Sequence, residues 1–306
     1  MLGVLYGFAV ILGIIGAGYL AAVGGVVKGD QRRVLNRMAF YVALPALLFD
    51  VLHDSDPAVL LSPVILITTI AAVAAAAIYV VASRWWFKQD LAATTLGATS
   101  SGYVNSNNLG LPVAIYILGD AAYVAPLILI QVAVYTPVVL AVLESTRGNR
   151  GGFLLALGRA ARNPVIIASV LGFAVAMLGL EVPQIVLGPI EMLGAASVPM
   201  VLLSFGISLR GQRALQRGSD RAPVLAATAI KLLLMPLLAW LLCLALGLGP
   251  HETFVATTIA ALPTAQNVYN YAATYRRAET QVRDTVFVTT FAALPVIAFI
   301  AWMLAA

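Results

Sequence analysis

The sequence predicts an all-α integral membrane protein. It predicts ten transmembrane helices in a five-plus-five inverted repeat, with the fourth and ninth helices broken and crossing. Three observations carry this. The 306 residues are 61% hydrophobic and 10% charged, whereas soluble domains carry about 25% charged residues. The charges lie between long apolar runs. Two of those runs are interrupted by polar and helix-breaking residues.

Runs of about 18 or more apolar residues are long enough to span a bilayer. Ten are expected, at 3–27, 35–52, 58–83, 91–118, 122–143, 160–180, 184–209, 222–247, 252–275 and 282–305; these are TM1 to TM10. Met1 to Val27 has no basic residue before its apolar run, and that run exceeds the 7–15 residues of a signal-peptide core. TM1 is therefore expected to stay in the mature chain. The single cysteine, Cys243, lies in an apolar run. It supports neither an internal disulfide nor a zinc or redox motif.

The connecting segments alternate in charge. Lys28, Arg32, Arg33 and Arg37 lie between TM1 and TM2, and Arg84 and Lys88 precede TM4. Arg147, Arg150, Arg159 and Arg162 separate TM5 from TM6. Arg210, Arg213, Arg217 and Arg221 follow TM7, and Arg276, Arg277 and Arg283 follow TM9. These are 17 of the 18 Lys and Arg; the other, Lys231, is inside TM8. The intervening loops carry Asp54, Asp56, Asp120, Glu181 and Glu252, with His53 and His251 at outer helix ends. The positive-inside rule puts the basic loops in the cytoplasm. Both termini are then outside, in a multi-pass protein of the cell inner (plasma) membrane. The net charge of +5 thus reflects topology, and no nucleic-acid partner is expected.

Three proline pairs recur between the halves. Pro45 and Pro199 are 154 residues apart, Pro112 and Pro263 are 151, and Pro137 and Pro295 are 158. They divide the chain into repeats at 1–145 and 160–306, joined by a cytoplasmic linker at 146–159. Five helices per repeat, an odd number, force opposite orientations. Inverted repeats with interrupted helices at matching positions point to a secondary-transport site.

TM4 carries three serines, three asparagines, two glycines and a proline between Ser100 and Pro112. Gly weakens a helix by about 1 kcal/mol and Pro by about 3 kcal/mol. A free backbone group at membrane depth must be satisfied by protein, ligand or water. From Asp120 back to Pro112 is roughly 12 Å, and from Glu252 to Pro263 roughly 17 Å. Half a hydrocarbon core is about 15 Å, so both prolines are expected near the midplane. Asp90 to Pro112 is roughly 33 Å if helical, about twice the length needed, so the segment around Ser100 to Asn108 is expected to bend, unwind or run obliquely. Gly110, Pro112 and Pro263 are the expected hinge and crossover positions.

The candidate substrate-binding residues are Asn105 and Asn108 of TM4, Gln131 of TM5, and Gln266, Asn267 and Asn270 of TM9. Half-helix N-termini favour an anion, and freed carbonyls favour a cation. No Asp or Glu lies near either proline, which points to an anion. The competing reading is that these amides only hold helices together, at about 0.6 kcal/mol per bond. Lys231 either snorkels to the cytoplasmic interface, attracts an anion or pairs with an acid. No metal-ligand cluster, paired acids or nucleophile–base pair appears, so neither an enzyme nor a cofactor is expected.

These residues resemble the auxin efflux carrier family, whose fold is similar to that of bile acid sodium symporters. The marks are Asn105 with Gly110-Leu111-Pro112, then Leu262-Pro263 with Gln266-Asn267-Val268, and Gln131 with Tyr135. The resemblance covers all ten spans. It implies a scaffold domain (TM1, 2, 6, 7), a transport domain (TM3–5, 8–10) and elevator-like export of small carboxylate anions, of auxin or dicarboxylate type. It also implies a possible homodimer through the scaffold domain, with Asn105 on the substrate carboxylate and Gln131 nearby. The short loop after Glu144 and the apolar Leu48 differ from the plant carriers. The alternative is a cation- or proton-coupled symporter or antiporter on the same fold, which would need a titrating carboxylate at the crossing.

Overall fold

The computed structural model describes residues 2–27, 31–55, 62–146, 158, 161–210 and 221–304. Lys28, Asp56, Arg147, Arg150, Arg159, Arg213, Arg217 and nearly all of the expected 146–159 linker lie outside the described residues. The regular elements among the described residues are helical, with one isolated antiparallel bridge between Val104 and Thr264.

The helices are α1 (Leu2–Val23), α2 (Gln31–His53), α3 (Pro63–Phe87), α4 (Leu91–Gly102), α5 (106–118), α6 (Ala121–Ser145), α7 (Pro164–Leu178), α8 (Gln184–Leu209), α9 (Arg221–Ala245), α10 (Pro250–Ala260), α11 (Gln266–Tyr275) and α12 (Glu279–Leu304). Seven of them, α1, α2, α3, α6, α8, α9 and α12, are long and apolar enough to cross a membrane; α7 is apolar but shorter. The stretches 91–118 and 250–275 do not enter that count, because neither is one continuous helix.

Local sequence accounts for the ends. Asp90 caps α4 by accepting from Ala93 N at 2.7 Å, and Asn163 caps α7 by accepting from Val165 N at 2.9 Å. Glu252 reaches back to Gly249 N at 3.2 Å, ahead of α10. These satisfy orphan N–H groups of a first helical turn. Gly119 and Gly179 end α5 and α7 in the left-handed region, where glycine carries no Cβ penalty.

Four prolines shape the helices in one way. Pro45, Pro112, Pro137 and Pro236 each follow a widened, five-residue-spaced turn. The residue before each proline donates its N–H five residues back: Leu44 to Ala39, Leu111 to Ser106, Thr136 to Gln131 and Met235 to Ile230. A proline has no N–H and its ring crowds the carbonyl four residues earlier. The chain absorbs this by widening the preceding turn, a feature common at functional sites. Gln131 and Lys231 both lie in such turns.

Small residues let the helices meet backbone to backbone, as is usual for helices packed in lipid. A Cβ at Gly18 or Gly206 would collide with the facing backbone of α8 or α1. A Cβ on Gly172 of α7 would stand 2.8 Å from Phe49 O, and one on Gly194 of α8 would stand 2.9 Å from Leu47 Cα. Thus α1, α2, α7 and α8 pack on one another. In addition, α3 packs on α4, α9 and α10, and α12 on α9 and α10, while α1 also meets α5, where a Cβ on Gly7 would stand 2.5 Å from Tyr116 O. A polar knot ties α3, α4 and α12 together: Gln281 Nε2 donates to Tyr79 Oη at 2.7 Å, and Gln89 Nε2 donates to Gln281 Oε1 at 2.7 Å.

Candidate functional site

The helix α4 stops at Gly102, where Tyr103 N still donates to Thr99 O at 2.8 Å. Residues 103–105 then leave the helix and run alongside residues 263–265. Asn105 N donates to Pro263 O at 2.8 Å, and Ala265 N donates to Tyr103 O at 3.1 Å, flanking the Val104–Thr264 bridge. The two interrupted stretches satisfy each other's backbone, which the absence of helical bonds would otherwise leave unpaired. Pro263 loses nothing in this pairing, because only its carbonyl is used.

Side chains finish the ends. Asn105 Oδ1 accepts from Asn108 N at 3.1 Å, so Asn105 is the N-cap of α5. Its amide nitrogen takes no part in that cap. Thr264 Oγ1 donates to Ser100 O at 2.6 Å, closing the C-terminal turn of α4 from the other half of the chain. Gln131 Nε2 donates to Val104 O at 3.1 Å, and Gln131 Oε1 accepts from the Ser106 hydroxyl. Asn108 Nδ2 donates to Gln266 Oε1 at 3.4 Å. Ala265, before α11, offers no side-chain cap.

A cavity of about 20 Å³ lies between these ends. Asn105, Ser106, Asn107, Asn108, Gln131 and Asn267 form its polar wall; Phe40, Leu44, Ile128 and Val132 form an apolar wall. A water needs about 10–15 Å³ of such space. The space holds water and not an organic molecule, so a larger ligand requires the walls to separate. The N-terminal turns of α5 and α11 meet here, and no carboxylate lines the cavity. Such ends attract negative charge.

The structure therefore brings Asn105, Asn108, Gln131, Gln266 and Asn267 together. Asn270 stands apart, exposed on α11 and absent from the cavity lining. It is about one turn beyond Gln266, roughly 6 Å further along the axis. Gly110 and Pro112 do not form the break; they lie within the helical stretch 106–118, and the non-helical residues are 103–105. The widened turn ahead of Pro112 absorbs the missing N–H. Gly110 instead permits contact: a Cβ there would stand 3.1 Å from Leu262 Cδ1. Pro263 does sit in the break of the second stretch. Lys231 does not snorkel: it is fully buried, and Nζ donates to Ala260 O at 2.8 Å.

Sequence reasoning passed over Ser106, Asn107 and Thr264 as site residues. Asn107 Oδ1 is buried with no hydrogen-bond partner. Counting by threes and fours along an ideal helix selected Asn105 and Asn108; a run that leaves the helix at 103–105 and re-enters through a widened turn does not obey that count. For Thr264 the available signal was its hydroxyl directly after Pro263.

The several long apolar helices define a multi-pass membrane protein. The chain belongs to the auxin efflux carrier-like Mem_trans family, described as "Membrane transport protein", whose model matches residues 4–151 and 153–301. It is 22% identical over 303 residues to a Methanocaldococcus jannaschii protein named an uncharacterized transporter, covering 96% of this chain and 97% of the relative. It is 29% identical over 290 residues to the "Putative malonate transporter" of Rhizobium meliloti, covering 91% and 88%. It is 25% identical over 257 residues to the uncharacterized transporter YfdV of Escherichia coli K12, covering 81% of each.

Proposed function

We propose that this transporter moves small organic anions, carboxylates above all, by alternating access around the crossing of 91–118 and 250–275. In this reading the chain spans the cell inner membrane ten times as two inverted five-helix repeats, with both termini outside. The observation that carries the proposal is the convergence of two helix N-termini and a set of amides at one cavity whose lining has no acid. Amide donors and helix N-termini can replace the hydration of a carboxylate without a fixed charge that would trap it. The free donors of Asn105, Asn107 and Asn267 are assigned to the substrate, with Asn108, Gln131 and Gln266 holding the frame.

The motion assigned is an elevator-like shift of α3–α6 and α9–α12 against α1, α2, α7 and α8. Support comes from the polar knot within the first group. The narrowness of the cavity supports a closed state that must open to load. The name of the Rhizobium meliloti relative supports a carboxylate substrate. A homodimer through α1, α2, α7 and α8 belongs to the same reading and rests on the family resemblance.

The test is uptake of labelled mono- and dicarboxylates, malonate included, into liposomes holding the purified protein. Saturable uptake by wild type, lost in Asn105→Asp, supports the proposal. Equal rates in both proteins would remove Asn105 from the site. Uptake of none of the acids, with transport of organic cations instead, would reverse the sign of the substrate.

A further inference from the structure

Where α10 ends, one carbonyl has lost both of its ordinary helical donors. Ala260 O would accept from residue 263 or 264. Residue 263 is proline, and Thr264 N donates instead to Thr289 Oγ1 at 3.2 Å. Lys231 Nζ fills the vacancy at 2.8 Å and also contacts Met235 Sδ at 3.1 Å. Lys231 is fully buried, and among the described residues no carboxylate lies within ion-pair distance of it. On the preceding turn of α10, the hydroxyls of Thr257 and Thr258 are buried without a partner.

The equivalent end of α4 is closed differently. There the neutral hydroxyl of Thr264 donates to Ser100 O. Only the α10 end receives a lysine amine.

Freed carbonyls at a half-helix C-terminus are the group that coordinates Na⁺ in transporters with broken helices, and the helix dipole there favours a positive charge. We infer that Lys231 is a positioning residue whose tethered amine occupies the place a cation would take at the end of α10 and makes the broken helix stable without a dissociable metal ion. The side chain is suited to this: its terminal nitrogen is compact and carries rotatable donors on a flexible stem. It comes from α9 within the widened turn before Pro236. Lys231 does not line the cavity and makes no contact with the substrate assigned above.

The test measures thermal unfolding in detergent and needs no substrate, so it is independent of the proposed transport activity. Wild type, Lys231→Met and Lys231→Ala are compared in choline, Na⁺ and methylammonium chloride at one ionic strength. The expected results are three. Wild type has the same Tm in all three salts. Lys231→Met is destabilised and insensitive to the salt, because its side chain fills the space without a donor for Ala260 O. Lys231→Ala is destabilised in choline and recovers with methylammonium in a saturable manner, by about 3 °C at tenfold excess over the dissociation constant. A purely structural lysine would show no such recovery.

Wild type stabilised by Na⁺ relative to choline overturns the inference, as does Lys231→Met with wild-type stability. Absence of any methylammonium effect on Lys231→Ala overturns it too. If Lys231→Ala yields no folded protein in choline, it is purified in methylammonium. Recovery of a monodisperse folded protein then supports the inference, and no recovery overturns it.

Discussion

Asn105 donates its backbone N–H to the carbonyl of Pro263 at 2.8 Å. The two residues are far apart in sequence, yet each answers the other's backbone problem. Asn105 has left the α4 helix and needs an acceptor; Pro263 has only an acceptor to offer. Around this bond the Asn105 side chain divides its work, its oxygen capping α5 and its nitrogen left for the cavity.

That division makes two substitutions separable. Asn105→Ala removes the cap and is expected to destabilise by about 1 kcal/mol. Asn105→Asp keeps a capping oxygen, so its Tm is expected to stay near that of wild type. It puts a negative charge in the cavity and is expected to lower carboxylate uptake at least tenfold. Parallel thermal-shift and liposome measurements check both.

Thr264→Val keeps shape and removes the hydroxyl that donates to Ser100 O at 2.6 Å. The buried carbonyl is left unsatisfied, which costs about 1–3 kcal/mol. A lowered unfolding temperature is expected, and Thr264→Ser is expected to restore most of it.

Gln131 holds Val104 O and the Ser106 hydroxyl together. Gln131→Leu is expected to lose about 1–3 kcal/mol, because both groups stay buried without it. Gln131→Glu keeps the acceptor for Ser106 and adds negative charge beside the cavity. It is expected to reduce uptake more than it reduces stability, which would show as a large loss of transport with a small change in Tm.

Gly206 meets the backbone of α1 directly, with Ile15 O as the nearest atom to an added Cβ. Gly206→Ala must push α1 and α8 apart and is expected to cost about 1–3 kcal/mol. Gly188→Ala on the same helix α8 has open space around it and serves as the control. It is expected to be neutral or slightly stabilising in the same unfolding assay.

Much of the protein was legible in one dimension. The helical, membrane-embedded character and the family follow from the length of the apolar runs and a few motif residues. Burial in lipid requires only that each segment be apolar and satisfy its own backbone. Asn105, Asn108, Gln131, Gln266 and Asn267 were nameable because an amide is costly in an apolar run unless something uses it. The region of the break, around Ser100 to Asn108, was legible as a polar run, but the residues that leave the helix were not. Pro112 and Gly110 look like breakers in sequence, yet the widened turn absorbs Pro112, and the chain leaves the helix at Tyr103, which carries no breaking signal of its own.

By itself, then, the sequence determined that the chain is apolar, helical and carrier-like, because hydropathy, charge placement and proline chemistry act locally. Only the tertiary structure decided which backbone groups would be orphaned and who would answer them. The partner of Asn105 N is Pro263, that of Ser100 O is Thr264, and that of Ala260 O is Lys231. Each pair joins residues distant along the chain. A hydrogen bond formed after a helix stops depends on where the second interrupted stretch passes in space, and no local propensity encodes that position.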